Sequence, residues 1–306
     1  MNPQEARIGA FAVEVGDLER KPDDLPGFGA LWQAASGGAD FATMGCGTFR
    51  KMTGPVGRYV VDAVARTLSE GGCAAKDIDR IVFATTDGCL QAVGRNFIVE
   101  VLQSLGLVRC VPVLLSFQQC CSSVTALSYT WNLFSDPEVR NTLVVAFDFT
   151  ANDADRVRPF AVFGDGVTSC LVSRDGGSGL RLVSSAVRVD FDGLLGRDSI
   201  SSRQQAARDA LSAVLAAGAT SLDEVTMVFP TNLFVPLTSF NTAVVGVRKT
   251  KLHFTETLRR FGHCGNCDWM LNLMNYRDAV GLRRGEQYLL QASAPGFIAW
   301  GLLVAV

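Results

Sequence analysis

The chain has 306 residues, a formal net charge of −2, a hydrophobic fraction of 48% and a charged fraction of 19%. Because soluble domains average about 25% charged residues, this chain is rich in apolar material, and intrinsic disorder is excluded. The 28 basic and 30 acidic residues nearly balance and form no basic block, which argues against nucleic-acid binding.

Several features indicate the cellular compartment. The apolar stretches are shorter than the roughly 20 residues that a bilayer crossing needs, and the N-terminal MNPQEARIGAF does not have the pattern of a signal peptide. The nine cysteines are odd in number and scattered, which favours reduced thiols over a disulfide framework. We therefore expect a cytoplasmic protein that does not act at a membrane.

The first part of the chain alternates short apolar segments with helical ones. This βαβαβ order predicts a mostly parallel sheet that is covered by helices. The predicted strands are 7–15, 78–85, 111–117 and 143–147, and the predicted helices are 58–70, 95–105 and 122–134.

A similar order recurs after the Phe163-Gly164-Asp165-Gly166 turn and a loop at 175–179. We therefore expect two similar halves, 1–175 and 176–306. The predicted strands here are 168–173, 225–230, 287–292 and 298–306, and the predicted helical segments are 202–215, 252–261 and 269–280.

A cysteine pair stands where an apolar strand runs into a helix of low charge, in Gln118-Gln119-Cys120-Cys121-Ser122-Ser123. The positive end of the helix dipole and the free N–H groups there would stabilise a thiolate, and the same N–H groups could hold an oxyanion. Free cysteines are also common core residues, so spacing alone leaves both interpretations open.

This segment resembles the nucleophile elbow of the thiolase-like condensing enzymes, in particular the β-ketoacyl-ACP synthase III family. Further landmarks follow in the family's order along essentially the whole chain. The resemblance implies an α/β, thiolase-like fold in which two similar βαβαβ halves form a five-layered αβαβα core. The landmarks are Ile78-Asp79-Arg80-Ile81-Val82-Phe83-Ala84-Thr85-Thr86, Leu143-Val144-Val145-Ala146-Phe147-Asp148, Phe163-Gly164-Asp165-Gly166, and Gly296-Phe297 with Trp300-Gly301.

The resemblance places the family's nucleophile at Cys120 when the two sequences are counted without gaps. Cys121 is the alternative, although it requires a one-residue deletion in the helix, and it is otherwise expected to line the substrate site. The oxyanion site would combine the N–H of Cys120 with a donor near Ala294. Pro295 stands within the family's glycine run and has no N–H to offer.

The family's pattern V-P-H-x-x-N corresponds here to Phe229-Pro230-Thr231-Asn232. Thr231 stands where decarboxylating members have a catalytic histidine, and Asn232 is expected to contact substrate. A hydroxyl can donate a hydrogen bond, but it cannot act as a general base near neutral pH. This departure argues against plain decarboxylative condensation.

The segment Gly262-His263-Cys264-Gly265-Asn266-Cys267-Asp268 fits two family patterns. Gly265-Asn266 resembles the motif of the catalytic asparagine, whereas the whole stretch fits G-H-x-G-x-x-D of the acyltransferase branch. Asn266 and Asp268 are therefore both catalytic candidates. His263 is either a substitute base or a hydrogen-bonding loop residue. No second C-x-x-C accompanies Cys264 and Cys267, so we expect no metal site.

Two further residues are expected to contact substrate. Arg156 corresponds to an arginine that meets the phosphates of coenzyme A or of the carrier arm, because guanidinium suits phosphate geometry, and Phe297 belongs to the terminal motif. The family's coenzyme-stacking tryptophan has no counterpart, so an acyl carrier protein could deliver the thioester. We expect no cofactor beyond the acyl-CoA or phosphopantetheinyl substrate itself.

The sequence therefore predicts an acyltransferase of the synthase III type in specialised, polyketide-like or fatty-acid-like metabolism. Cys120 would take an acyl group from a thioester and pass it to a second substrate, forming a C–C, ester or amide bond. The alternative is a catalytically degenerate subunit that stabilises an active homologue. Either one is expected to dimerise with itself or with a sister chain, since the family pairs through the strand beside the elbow.

Overall fold

The computed structural model describes residues 6–94, 96–174, 179–197 and 199–306. Nine strands of this part form one central sheet, and two short two-stranded antiparallel sheets lie outside it. In chain order the strands are β1 (Arg7–Val15), β2 (Leu18–Arg20), β3 (Phe49–Lys51), β4 (Arg80–Ala84), β5 (Val111–Leu115), β6 (Asn141–Asp148), β7 (Val157–Arg158), β8 (Ala161–Val162), β9 (Gly166–Ser173), β10 (Leu180–Val189), β11 (Val225–Phe229), β12 (Gln287–Ala294) and β13 (Phe297–Ala305).

The helices connect these strands and cover their faces. No helix in the described ranges is both long enough and apolar enough to span a bilayer. The helices are α1 (Phe28–Ser36), α2 (Val56–Glu70), α3 (Asp87–Val93), α4 (Asn96–Ser104), α5 (Ser122–Leu133), α6 (Phe191–Leu194), α7 (Ile200–Ala217), α8 (Val235–Ala243), α9 (Thr255–Phe261) and α10 (Asp268–Ala279).

The sheet consists of two similar sets of strands that meet at β1 and β10. From this junction outwards the first set runs β1-β9-β6-β4-β5, and the second runs β10-β13-β12-β11. Corresponding neighbours have the same sense, antiparallel near the junction and parallel beyond β6 and β12. A parallel bridge between Val228 and Leu252 takes the place that β5 has in the first set. The two sets therefore repeat one topology.

The layers follow from where the helices pack. Helix α2 contacts β1 and β9 on the outer side of the first set, and α7 contacts β10 and β13 on the outer side of the second. Helix α5 contacts strands of both sets and therefore lies between them, and the first residues of α10 join it in the same central core. Three of the apolar clusters follow these layers, one central and two outer, and a fourth lies around Trp32, Phe49 and Phe234. The predicted αβαβα order is confirmed.

The structure corrects some of the predicted elements. β10 was not predicted, although its sequence LRLVSSAVRV has the composition of a strand. The segment predicted as helical from 252 becomes a helix only at Thr255. The predicted boundary between the halves, most of the loop at 175–179 and the predicted helix start at Arg95 lie outside the described residues.

Candidate active site

Two equivalent turns meet in the central layer. Gln119–Cys121 forms a single 3₁₀ turn before α5, and Gly265–Cys267 forms the same turn before α10. The first residue of each is left-handed, with φ of 51° at Gln119 and 60° at Gly265. A Cβ at position 265 would lie 2.1 Å from Asp148 Oδ2, so glycine is needed there. The site therefore receives one elbow from each half.

These elbows bring a thiol, an imidazole and a carboxylate into line. Cys120 Sγ lies 3.6 Å from His263 Nε2, and His263 Nδ1 lies 2.5 Å from Asp268 Oδ2. A carboxylate that accepts from Nδ1–H leaves Nε2 unprotonated toward the sulfur. This order of nucleophile, base and orienting acid is the arrangement that activates a weak nucleophile in acyl transfer.

Backbone groups fix the imidazole and the carboxylate. His263 N donates to Val162 O at 2.8 Å, and His263 O accepts from Gly164 N at 3.0 Å. Asp268 accepts at 2.8 Å from the N–H of Cys264 and at 2.9 Å from that of Asn232. These hydrogen bonds hold the Asp268 carboxyl group in place against Nδ1 of the imidazole.

The surroundings of Cys120 disfavour an isolated thiolate. Burial raises the pKa of its thiol well above the usual range, and the negative charges of Asp148 and Asp268 raise it further. The sequence argument relied on the helix dipole to ionise this sulfur, and the surrounding protein outweighs that effect. The thiol therefore needs His263 as the acceptor of its proton.

A cavity of about 610 Å³ reaches both Cys120 and His263. Cys120 is partly exposed and lies with His263 in its wall. The rest of the wall is largely apolar, which suits an acyl chain; it includes Phe117, Phe160, Phe163, Leu233, Leu237 and Phe297. The predicted contact residue Phe297 thus lines the cavity.

The second cysteine has a different environment. Cys121 has no exposed surface, its thiol lies 3.5 Å from Phe297 O, and burial raises its pKa to about 12. It is therefore a core residue outside the lining of the cavity, which does not support its predicted role in substrate binding. Ala294 lines the cavity, and its backbone hydrogen-bonds with the thiol of Cys121.

Three predicted polar residues form a buried scaffold instead of facing the cavity. Asn266 Nδ2 donates to Asp148 at 2.9 Å, and its Oδ1 accepts from Ser123 N at 2.9 Å. Thr231 Oγ1 accepts from Ser293 N at 3.0 Å. Asn232 holds Asp268 through its backbone and Asn272 through its side chain. None of the three lines the cavity, so their positions do not support the catalytic roles predicted for Asn266 and Thr231 or the substrate contact predicted for Asn232.

The position of Arg156 does not support its predicted contact with a phosphate either. Its side chain has no exposed surface, and its guanidinium donates to both carboxylate oxygens of Asp165, at 2.7 and 3.0 Å. Asp153 Oδ1 and the carbonyls of Thr150 and Phe163 take its other donors. With these bonds made, the guanidinium has no donor left for a phosphate, and it braces the loop before β9.

One charged cavity residue was not predicted. Arg203 of α7 lines the wall that contains Cys120. Its only sequence signal was an arginine near the start of a helix, where the dipole disfavours a positive charge.

The fold is that of the thiolase-like enzymes, and it is similar in structure to β-ketoacyl-ACP synthase III. The acyltransferase ChlB3 superposes with a TM-score of 0.84 at 16% identity, covering 99% of this chain and 98% of that one. 3-Oxoacyl-[acyl-carrier-protein] synthase III of Aquifex aeolicus gives 0.79 at 17% identity, covering 98% and 99%. OleA of Xanthomonas campestris gives 0.82 at 13% identity, covering 99% and 98%. No protein-family model and no curated protein sequence matches the chain.

Proposed function

We propose that this protein is a thiolase-fold acyltransferase that carries the acyl group as a thioester on Cys120. The observation that carries the proposal is the row of Cys120 Sγ, His263 Nε2 and Nδ1, and Asp268 Oδ2, with separations of 3.6 and 2.5 Å, at the wall of an apolar cavity. The similarity of the fold to that of acyltransferases and condensing enzymes is consistent with it.

In the first half-reaction, His263 Nε2 takes the proton of the Cys120 thiol. The thiolate attacks the carbonyl carbon of the incoming thioester, and the N–H of Cys120 is the candidate donor to the oxyanion. The Ala294 backbone, which the sequence suggested as the second donor, is directed at the Cys121 thiol instead. The tetrahedral intermediate expels the carrier thiolate, which receives the proton from the imidazolium. A carrier thiol and an acyl-Cys120 result.

In the second half-reaction, an alcohol or amine enters the cavity and loses its proton to His263 as it attacks the acyl carbon. The Cys120 thiolate leaves and recovers that proton, so an ester or amide forms and the enzyme is regenerated. This acceptor chemistry needs one base, which His263 supplies. Decarboxylative C–C bond formation is disfavoured, because Thr231 stands where decarboxylating members of the resembled family have their catalytic histidine, and its hydroxyl cannot act as a general base.

The partners follow from the same reaction. The acyl donor is acyl-CoA or an acyl carrier protein, and the corrected role of Arg156 leaves its phosphate without the arginine that the family resemblance suggested. The protein also forms a homodimer, or a heterodimer with a homologous synthase, in specialised metabolism.

Mass spectrometry of the intact protein tests the proposal. After incubation with a panel of acyl-CoA and acyl-carrier thioesters, we expect the wild-type chain to gain one acyl mass, located on Cys120 by peptide mapping. Cys120→Ala abolishes the adduct, whereas Cys121→Ala retains it, because Cys121 is sealed in the core. Both variants must melt at the wild-type temperature, so that a lost adduct is not due to unfolding.

The result also separates the enzyme from a degenerate stabilising subunit. If no thioester gives an adduct, and Cys120→Ala leaves the activity of an associated homologue unchanged, the chain is assigned to the role of a stabilising subunit. An adduct on Cys121 in the wild-type chain would contradict the assignment of Cys120.

A further inference from the structure

A second cavity of about 330 Å³ adjoins the one that contains Cys120. The two share Gly193, Arg203, Leu237 and Ser293 in their walls. Arg203 therefore stands at the passage between them, and it is the cationic side chain that both walls contain. A ligand that reaches Cys120 through this passage meets its guanidinium.

Arg203 is the fourth residue of α7, close to the positive end of that helix. A cation is unfavourable there, and within the described ranges no carboxylate lies within 4.0 Å of its guanidinium to compensate. Asp190, the carboxylate in the wall of the second cavity, accepts instead from Ser202 Oγ at 2.5 Å. Among the residues that the structure describes, the guanidinium therefore has no carboxylate partner within ion-pair distance.

The position is nevertheless held. Arg203 Nη2 donates to Ser293 Oγ at 2.6 Å, and Ser293 N donates to Thr231 Oγ1 at 3.0 Å. This chain of bonds joins Arg203 to the residue that replaces the family's decarboxylation histidine. One of the five guanidinium N–H donors is used by Ser293, which leaves donors for a ligand.

We propose that Arg203 binds a carboxylate at the distal end of the acyl group that Cys120 carries, so that the substrate is the monothioester of a dicarboxylic acid. The inference rests on the proposed function and names its substrate class. A guanidinium pairs with a carboxylate through two parallel hydrogen bonds, and the ion pair stabilises the ionised form. The apolar cavity holds the methylene chain, and the distal carboxylate is not consumed in the reaction.

Matched thioesters test this selectivity. Succinyl and butyryl N-acetylcysteamine thioesters have acyl chains of equal length, and they differ in a carboxylate against a methyl group. We expect Arg203→Gln to reduce the succinyl-to-butyryl ratio of Cys120 acylation rates at least tenfold, because a charge-assisted pair is lost. Arg203→Lys recovers part of the ratio, and Arg208→Gln, on the exposed side of the same helix, leaves it unchanged.

Coenzyme A thioesters of the same two acids identify the other source of an anion. If Arg203 binds the phosphate of the pantetheine arm, Arg203→Gln slows succinyl-CoA and butyryl-CoA equally and leaves both N-acetylcysteamine thioesters unaffected. That result would overturn the proposal, as would an unchanged succinyl-to-butyryl ratio.

Equilibrium binding keeps this test independent of catalysis. Calorimetry with succinate, and with dimethyl succinate as the neutral control, compares the wild-type chain with Arg203→Gln. We expect succinate alone to bind at least tenfold more weakly to the variant. Equal binding by both proteins contradicts the carboxylate site, even where Cys120 is acylated normally, and a failure of acylation alone counts only against the proposed function.

Discussion

At the residue scale, the central question is how a buried thiol becomes a nucleophile. Burial and two nearby carboxylates raise the pKa of Cys120, so the sulfur is neutral at physiological pH when it stands alone. Proton transfer to His263 replaces a lone buried anion with an ion pair, and Asp268 stabilises the cationic partner. The three groups therefore act as a unit, and the loss of one removes most of the effect of the others.

The pH dependence of alkylation checks this division of roles. In His263→Ala the Cys120 thiol can ionise only by itself, and since its pKa is raised, the thiolate fraction falls at every pH below that value. We expect iodoacetamide to alkylate Cys120 of the variant far more slowly at pH 7, with a rate that still rises above pH 9. The wild-type chain reacts at neutral pH through its thiolate–imidazolium pair.

Cys121 serves as the internal control for that experiment. Its thiol is buried and has a raised pKa in both proteins, so it stays unmodified until the chain unfolds. A variant that reacts as fast as the wild-type chain at pH 7 would show that His263 is only a hydrogen-bonding loop residue.

At the scale of elements, the sequence predicts the strands and helices that have regular apolar patterns. The prediction fails for elements whose conformation depends on neighbouring strands or helices. Helix α5 and strand β1 are found as predicted because their composition is unambiguous. β10 was missed although it links the two sets of strands. Its exposed end, Arg188-Val189, and its central Ser184-Ser185 weaken the alternation that identifies strands.

The same limit explains the site. Cys120, His263 and Asp268 were among the predicted candidates, because their residue types and spacing match a motif. Asn266 and Arg156 match motifs equally well, but their polar groups are consumed by Asp148 and Asp165. A sequence pattern shows which residues could act, whereas the direction in which a side chain points depends on its partners in the fold, nine positions away for Arg156 and 118 positions away for Asn266.

The buried Arg156–Asp165 pair gives a test of that correction. Asp165 is only 2% exposed, and removing Arg156 leaves its buried charge uncompensated. Arg156→Ala should therefore lower the free energy of unfolding by about 3–5 kcal/mol. Urea titration measures the loss. Arg158→Ala, which breaks the exposed pair with Asp155, should change it by less than about 1 kcal/mol.

The kinetic outcome distinguishes structure from substrate binding. At a temperature where Arg156→Ala remains folded, we expect the concentration of acyl-CoA needed for half-maximal acylation to match that of the wild-type chain. A large increase in that concentration with little loss of stability would restore the phosphate-binding role.

At the scale of the whole molecule, the repeat of one topology explains why the site lies at its centre. Each half contributes one elbow, and neither elbow carries a complete set of catalytic groups. Cys120 lies in the turn before α5, whereas His263 precedes the turn before α10 and Asp268 is the first residue of that helix. The bonds from Asn266 to Asp148 and to Ser123 tie the second elbow to the first half, so the geometry of the site depends on how the halves pack.

The outer edge of the first half predicts how two copies associate. Strand β5 ends the sheet order, leads directly to the elbow and exposes Val111 at 50%, and Val108 just before it is exposed at 78%. An uncovered apolar edge strand is a template for pairing, and two-fold pairing would join the sheets of two copies. We expect light scattering to give twice the 32.8 kDa mass of one chain.

Val111→Lys should shift the protein toward monomer, because a two-fold interface brings both lysines close together. Val280→Lys is the control, since Val280 is about equally exposed after α10, and it should leave the dimer intact. A wild-type monomer at high concentration, or a dimer that tolerates Val111→Lys, would place the interface elsewhere.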